Sequence, residues 1–136
     1  MRNQSSLMRG YHHVTRVNPF EQASIADVGD VIFSEQFNHQ AVVDDITNFF
    51  SLIKKAGVIP LSAGGDHSIT YPIFRGIAKD SPIGMIHIDA HTDTFSQLDH
   101  FMGAKKSAAH WGAYLVDQGI INPKNSMQIF KTQKLE

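Results

Sequence analysis

Four ionisable side chains at alternate positions, His87, Asp89, His91 and Asp93, follow directly on the apolar and small residues Ile83-Gly84-Met85-Ile86. Side chains alternate across a strand with period two, so an extended chain here puts all four on one face. Ile88, Ala90 and Thr92 then fall on the other. Carboxylates and imidazoles gathered at the end of a buried strand repel one another and lose hydration unless something organises them. A multivalent cation is the simplest organiser. The competing reading is a solvated acidic loop, which makes the preceding apolar run irrelevant. The chain contains no cysteine, so a metal must be held by histidine and carboxylate, a donor set suited to manganese, magnesium or zinc.

A second segment, Gly64-Gly65-Asp66-His67-Ser68, stands between a short apolar run and a helical pattern. Its glycines let the backbone turn sharply, and His67 then projects a ring nitrogen from the strand's end. Read by itself it fits a tight turn with an Asp-His capping pair equally well.

The pattern between these segments indicates strands alternating with helices. Ser24–Ile32 is β-like. Val42, Val43, Ile46, Phe49, Phe50 and Ile53 recur at three- and four-residue intervals, which predicts an amphipathic helix over 40–56. Asn38 is its expected N-cap and Gly57 its stop. Val58–Ser62 reads as a short buried strand, Ile69–Lys79 as a helix, Ile83–Asp89 as another buried strand and Thr92–Ala104 as a polar loop. A helix over 107–118 closed by Gly119, and a strand over 126–130, complete the order. Such a rhythm implies βαβ units around a parallel sheet, with ligands gathering at the carboxyl ends of the strands, where both segments sit. No linker, repeat or low-complexity tract interrupts it, so residues 1–136 are expected to form a single domain.

Composition excludes several classes of function. Twelve basic residues stand against thirteen acidic ones for a net charge of -1, without the concentrated basic surface that a nucleic-acid partner requires. No apolar run approaches membrane-spanning length and the N-terminus lacks the apolar core of a secretory signal. The expectation is a cytoplasmic protein with neither nucleic acid nor membrane as partner.

Taken together, Gly64-Gly65-Asp66-His67-Ser68 and Asp89-Ala90-His91-Thr92-Asp93 resemble the paired signatures of the ureohydrolases, the arginase/agmatinase family. Asn18-Pro19-Phe20-Glu21, Ala26-Asp27-Val28-Gly29-Asp30 and Gln118-Gly119-Ile120-Ile121 are similar to the agmatinase branch, so the likeness runs from residue 2 to about 129. The resemblance implies an α/β fold, a three-layer αβα arrangement with a mainly parallel sheet of the arginase/deacetylase type. It implies a binuclear Mn2+ centre that activates water to split a guanidino compound into urea and an amine. By position His67 matches a ligand of one ion, Asp89 a carboxylate bridging both, His91 a ligand of the second and Asp93 a further ligand of the first. His87 and Asp66 are expected to support the ligands by hydrogen bonds, a core histidine and a loop-fixing acceptor being the plainer readings. The family's substrate-contacting histidine has its nearest counterpart in His110, two residues from the matching position.

The likeness also has gaps. The family's third motif, with its Asp-x-Asp pair, has no counterpart after Asp93, where only Asp99 and Asp117 remain as aspartates. The opening Gly-Pro-x-x-Ile-Arg strand is missing too, and Phe130–Glu136 leaves the pattern, so the chain reads as an incomplete ureohydrolase domain. Agmatine and guanidinobutyrate are the expected substrates, and a homo-oligomer is compatible with the family. A non-catalytic remnant with weak metal binding is the rival reading. An amidohydrolase of the deacetylase fold is a third, which Gly64-Gly65-Asp66-His67-Ser68 disfavours.

Overall fold

Asparagine caps start two helices in the computed structural model, which describes residues 3, 10–78, 80–95 and 107–130. The described residues fall into two units, Met1–Asp30 and Val31–Glu136. In the first, α1 (Pro19–Gln22) follows Asn18, whose side chain accepts the Phe20 N–H, while Pro19 takes the first helical position, where no donor is needed. An isolated antiparallel bridge joins His12 and Val17.

The second unit carries the site. Here α2 (His39–Lys55) begins at Asn38, whose Oδ1 accepts the N–H groups of Gln40 and Ala41 at 3.1 and 3.2 Å. Its buried residues Val43, Ile46 and Phe50 follow the helical spacing. They face α3 (Thr70–Ile77), which continues from a single 3-10 turn over His67–Ile69. Gly76 makes that approach close. A Cβ there would lie 2.7 Å from the Thr47 carbonyl and 2.9 Å from Phe50 Cβ.

Next, β1 (Ile86–Asp89), α4 (Trp111–Asp117) and β2 (Met127–Phe130) form a βαβ crossover, since the two strands pair in parallel. The register sets His87 beside Gln128 and Ile88 beside Ile129. A bridge between Ile83 and Ile121 extends the pairing upstream. Tyr71 from α3, Trp111 and Leu115 from α4, and Ile120 and Ile121 after it form the buried core, with Val43 of α2.

Four expectations change. Neither 24–32 nor 58–62 is a strand. Ile59 and Leu61 are exposed at 95% and 102%, and a strand without a paired neighbour has no ladder to define it. The segment Ile83–Asp89 is regular only from Ile86, and it is not buried on both faces: Ile86 and Ile88 are exposed while His87 is buried. The helix expected over 107–118 begins at Trp111. Of the loop expected over Thr92–Ala104, residues from 96 on lie outside the described set, as do residue 79 and the chain beyond 130.

Candidate metal centre

The strand β1 ends where the chain folds back onto its own carboxylate. Asp89 Oδ1 accepts the His91 backbone N–H at 2.9 Å, the local turn that aspartate favours. This halts the period-two alternation, so the extended run to Asp93 read from the sequence stops at Asp89. His91 leaves the shared face in consequence. Its side chain is 78% exposed and its Nδ1 lies 3.4 Å from Asp89 Oδ1.

Asp93 returns to that face by another route. Its φ is +50°, a left-handed conformation that aspartate tolerates better than most residues. The Asp93 carbonyl accepts the Gly112 N–H at 3.0 Å, and a Cβ on Gly112 would sit 2.9 Å from that oxygen. Only glycine lets the start of α4 come so near. The Asp93 carboxylate is then fixed by the Trp111 indole, whose Nε1–H donates to Oδ2 at 2.8 Å in a buried hydrogen bond.

His67 arrives from the glycine turn. Asp66 caps the turn by accepting the Ser68 N–H at 2.8 Å. The His67 Nδ1 atom lies 2.9 Å from Asp89 Oδ2 and 2.7 Å from Asp93 Oδ2. Its ring packs against those of Trp111 and His87, with centroids 4.8 and 5.1 Å away. His87 and Trp111 are themselves 4.9 Å apart. Three mutually contacting rings therefore hold one imidazole nitrogen between two carboxylates.

Electrostatics follow from these contacts. Chiefly the hydrogen bond from the His91 backbone N–H, with further help from His87, His67 and the Ala90 N–H, holds the Asp89 carboxyl at about 2, against an opposing penalty for desolvation. Hydrogen bonds from the Ser68 hydroxyl and N–H hold Asp66 below the ordinary carboxylate range. Asp66 and Asp89 are thus anions across the physiological range.

Among the described residues, one ligand atom each from His67, His87, Asp89 and Asp93 lies within 4.8 Å of all the others. An ion bound at about 2.1 Å keeps its nitrogen and oxygen donors within roughly 4 Å of one another, so His67, Asp89 and Asp93 fit a divalent cation with small adjustments. The donor chemistry, imidazole plus carboxylate without sulfur, also fits. His91 is outside this group, and so is His110. The latter is buried at 3% exposure, with Nδ1 in a 2.7 Å hydrogen bond to the Ser107 hydroxyl.

Two residues that matter here carry no signal in the motifs. Trp111 follows His110 at the start of α4, and the indole rather than the imidazole reaches the carboxylates. Gln128 reaches His87 and the Thr92 carbonyl from the neighbouring strand. Its period-two position on β2 was readable, but the register that sets it beside His87 was not.

A parallel βαβ crossover thus brings an imidazole and two carboxylates together at the carboxyl end of its first strand, where α/β folds place their ligand sites. The chain belongs to the arginase family, whose family model matches residues 1–130. It is 37% identical over 134 residues to a guanidinopropionase of Pseudomonas aeruginosa, covering 95% of this chain and 40% of that protein. It is also 37% identical over 130 residues to a mitochondrial agmatinase of Gallus gallus, covering 95% of this chain and 37% of the relative. A solved structure of proclavaminate amidino hydrolase from Streptomyces clavuligerus is similar with a TM-score of 0.76 and 26% identity, over 98% of this chain and 44% of that one. The chain therefore spans about 40% of the length of the curated relatives it matches.

Proposed function

We propose that this chain is a manganese-dependent ureohydrolase of the agmatinase-like branch, splitting a linear guanidino compound, agmatine or guanidinobutyrate, into urea and an amine. The observation that carries this reading is the single His67 nitrogen held 2.9 and 2.7 Å from the carboxylates of Asp89 and Asp93. The names of the relatives, a guanidinopropionase, an agmatinase and an amidino hydrolase, support guanidino chemistry.

In the reaction, water adds its oxygen to the guanidinium carbon, the bond from that carbon to the substituted nitrogen breaks, and both hydrogens of the water end on that nitrogen, so a protonated amine leaves beside neutral urea. A bound divalent cation supplies Lewis acidity that makes water nucleophilic near neutral pH. The chain's residues supply the rest. His67, Asp89 and Asp93 would hold the ion, the Trp111 N–H fixes the Asp93 carboxylate, and the carboxylate ligands would offset the ion's charge and so keep the site tolerable for a cationic substrate. His91 stands exposed beside Asp89 as the donor for a second ion, and His110 is the proposed substrate-side histidine. Among the described residues no helix is long and apolar enough to cross a membrane. A cytoplasmic location, a single domain and a homo-oligomeric partner complete the proposal.

A second reading, metal binding without turnover, draws on the small count of carboxylates in the cluster, two among the four convergent groups. Urea release from agmatine and guanidinobutyrate, measured with manganese alongside bound-metal content, separates the two. Urea formation that disappears in Asp89→Asn supports the enzyme. Bound manganese with no urea from either compound supports the second reading and overturns the first.

A further inference from the structure

His87 presents a puzzle within the cluster. Its side chain is 4% exposed, and Nε2 faces Asp89 Oδ2 across 3.5 Å, yet among the described residues that nitrogen has no hydrogen-bond partner. A bare Nε2 would be a fourth metal donor. An Nε2 carrying hydrogen could not ligate, and would serve as a donor to the carboxylate instead.

The other side of the ring decides between these. Gln128 Nε2 lies 3.1 Å from His87 Nδ1 and donates to the Thr92 carbonyl at 2.8 Å. A carbonyl oxygen only accepts, so the Gln128 atom facing Thr92 must be the amide nitrogen rather than its oxygen. The second hydrogen of that NH2 group is then directed at His87 Nδ1. An Nδ1–H would set donor against donor, so Nδ1 must be bare. In the neutral ring the single hydrogen therefore sits on Nε2, pointing at Asp89. The parallel register that sets His87 beside Gln128 makes this alignment a property of the sheet.

We propose that Gln128 is a positioning residue: by donating to His87 Nδ1 while anchored on the Thr92 carbonyl, it fixes the Nε2–H form of His87. The Nε2–H of His87 is then directed at the Asp89 carboxylate across 3.5 Å, and His87 is not itself a ligand. An outer partner that fixes the tautomer and direction of a group beside a metal is a recurrent means of tuning such sites. The functional consequence rests on the ureohydrolase reading, but the form of the ring does not.

The test is a long-range proton–nitrogen NMR correlation on the 15N-labelled chain without added metal, at about pH 8, above the ordinary histidine range. The His87 signals are assigned by their loss in His87→Phe. The expected wild-type result is hydrogen on Nε2 and a bare Nδ1. In Gln128→Met, similar in length but without a donor, the two nitrogens should shift towards each other as both forms become populated. Hydrogen on Nδ1 in the wild type overturns the proposal, as does an unchanged pattern in a folded Gln128→Met. If that variant does not fold, the wild-type spectrum alone decides. Urea release reports separately: turnover with a reversed tautomer sinks this inference alone, and the expected tautomer without turnover sinks only the proposed activity.

Discussion

Asp93 is held by contacts that leave little freedom: a left-handed backbone, the Gly112 N–H on its carbonyl and the Trp111 indole on its carboxylate. Adding a methyl group in Gly112→Ala would force the Asp93 carbonyl away, because the new carbon would lie 2.9 Å from it. Overpacking of this kind costs about 1–3 kcal/mol, and a shifted ligand weakens metal binding by roughly 10-fold or more. Denaturant melts and manganese titration of this variant should show both losses. Asp89 makes a second prediction, concerning pH. Its carboxyl is at about 2 in the folded chain against an ordinary 3.8, so the unfolded chain binds the proton more readily. Its stabilising contribution is therefore complete above pH 3.8 and disappears as the pH falls towards 2. Asp66 is shifted in the same sense. In metal-free protein the denaturation midpoint should fall across this window, and less steeply in Asp89→Asn. A curve of equal slope for the variant would contradict the assignment.

At the scale of elements, the α2–α3 contact depends on the missing side chain of Gly76. Gly76→Ala gains helix propensity of about 1 kcal/mol, but the added carbon would meet the backbone carbonyl of Thr47, which cannot swing aside. The net effect should be destabilising, seen as a lower midpoint in thermal or denaturant unfolding. Elements with a local cause were legible in the sequence. The α2 boundaries follow from the Asn38 cap and the spacing of Val43, Ile46 and Phe50, and β2 from the run before Phe130. Elements whose definition depends on distant partners were not. Residues 58–62 have the composition of a strand, but no described strand pairs with them. His91 has the parity of a site residue, but the turn made by the Asp89 carboxylate carries it outwards. The Trp111 and Gln128 contacts depend on the register of β1 with β2 and on how α4 returns over the sheet. Neither is encoded locally.

The two faces of the β1–β2 pair differ among the described residues. On one face His87 is buried and Asp89 and Gln128 half-buried, while Ile86, Ile88, Met127 and Ile129 are exposed on the other. Apolar surface of this kind favours association. Sedimentation should show self-association that rises with concentration and weakens in Ile86→Thr/Ile88→Thr, and an unaltered monomer at all concentrations would contradict it. The polar face carries the proposed site, and the proposal depends on capture of a cation by His67, Asp89 and Asp93. Anything bound only by the folded chain raises its stability in proportion to the logarithm of ligand concentration, so manganese should raise the unfolding midpoint and a chelator should reverse the rise. The most direct measurement is equilibrium dialysis of the chain against manganese, with metal content determined for the wild type, His67→Ala, Asp89→Asn and Asp93→Asn. Stoichiometric manganese is expected in the wild type and severe loss in each variant. Wild-type levels of manganese retained in Asp89→Asn and His67→Ala, or none bound by the wild type, would contradict the proposal.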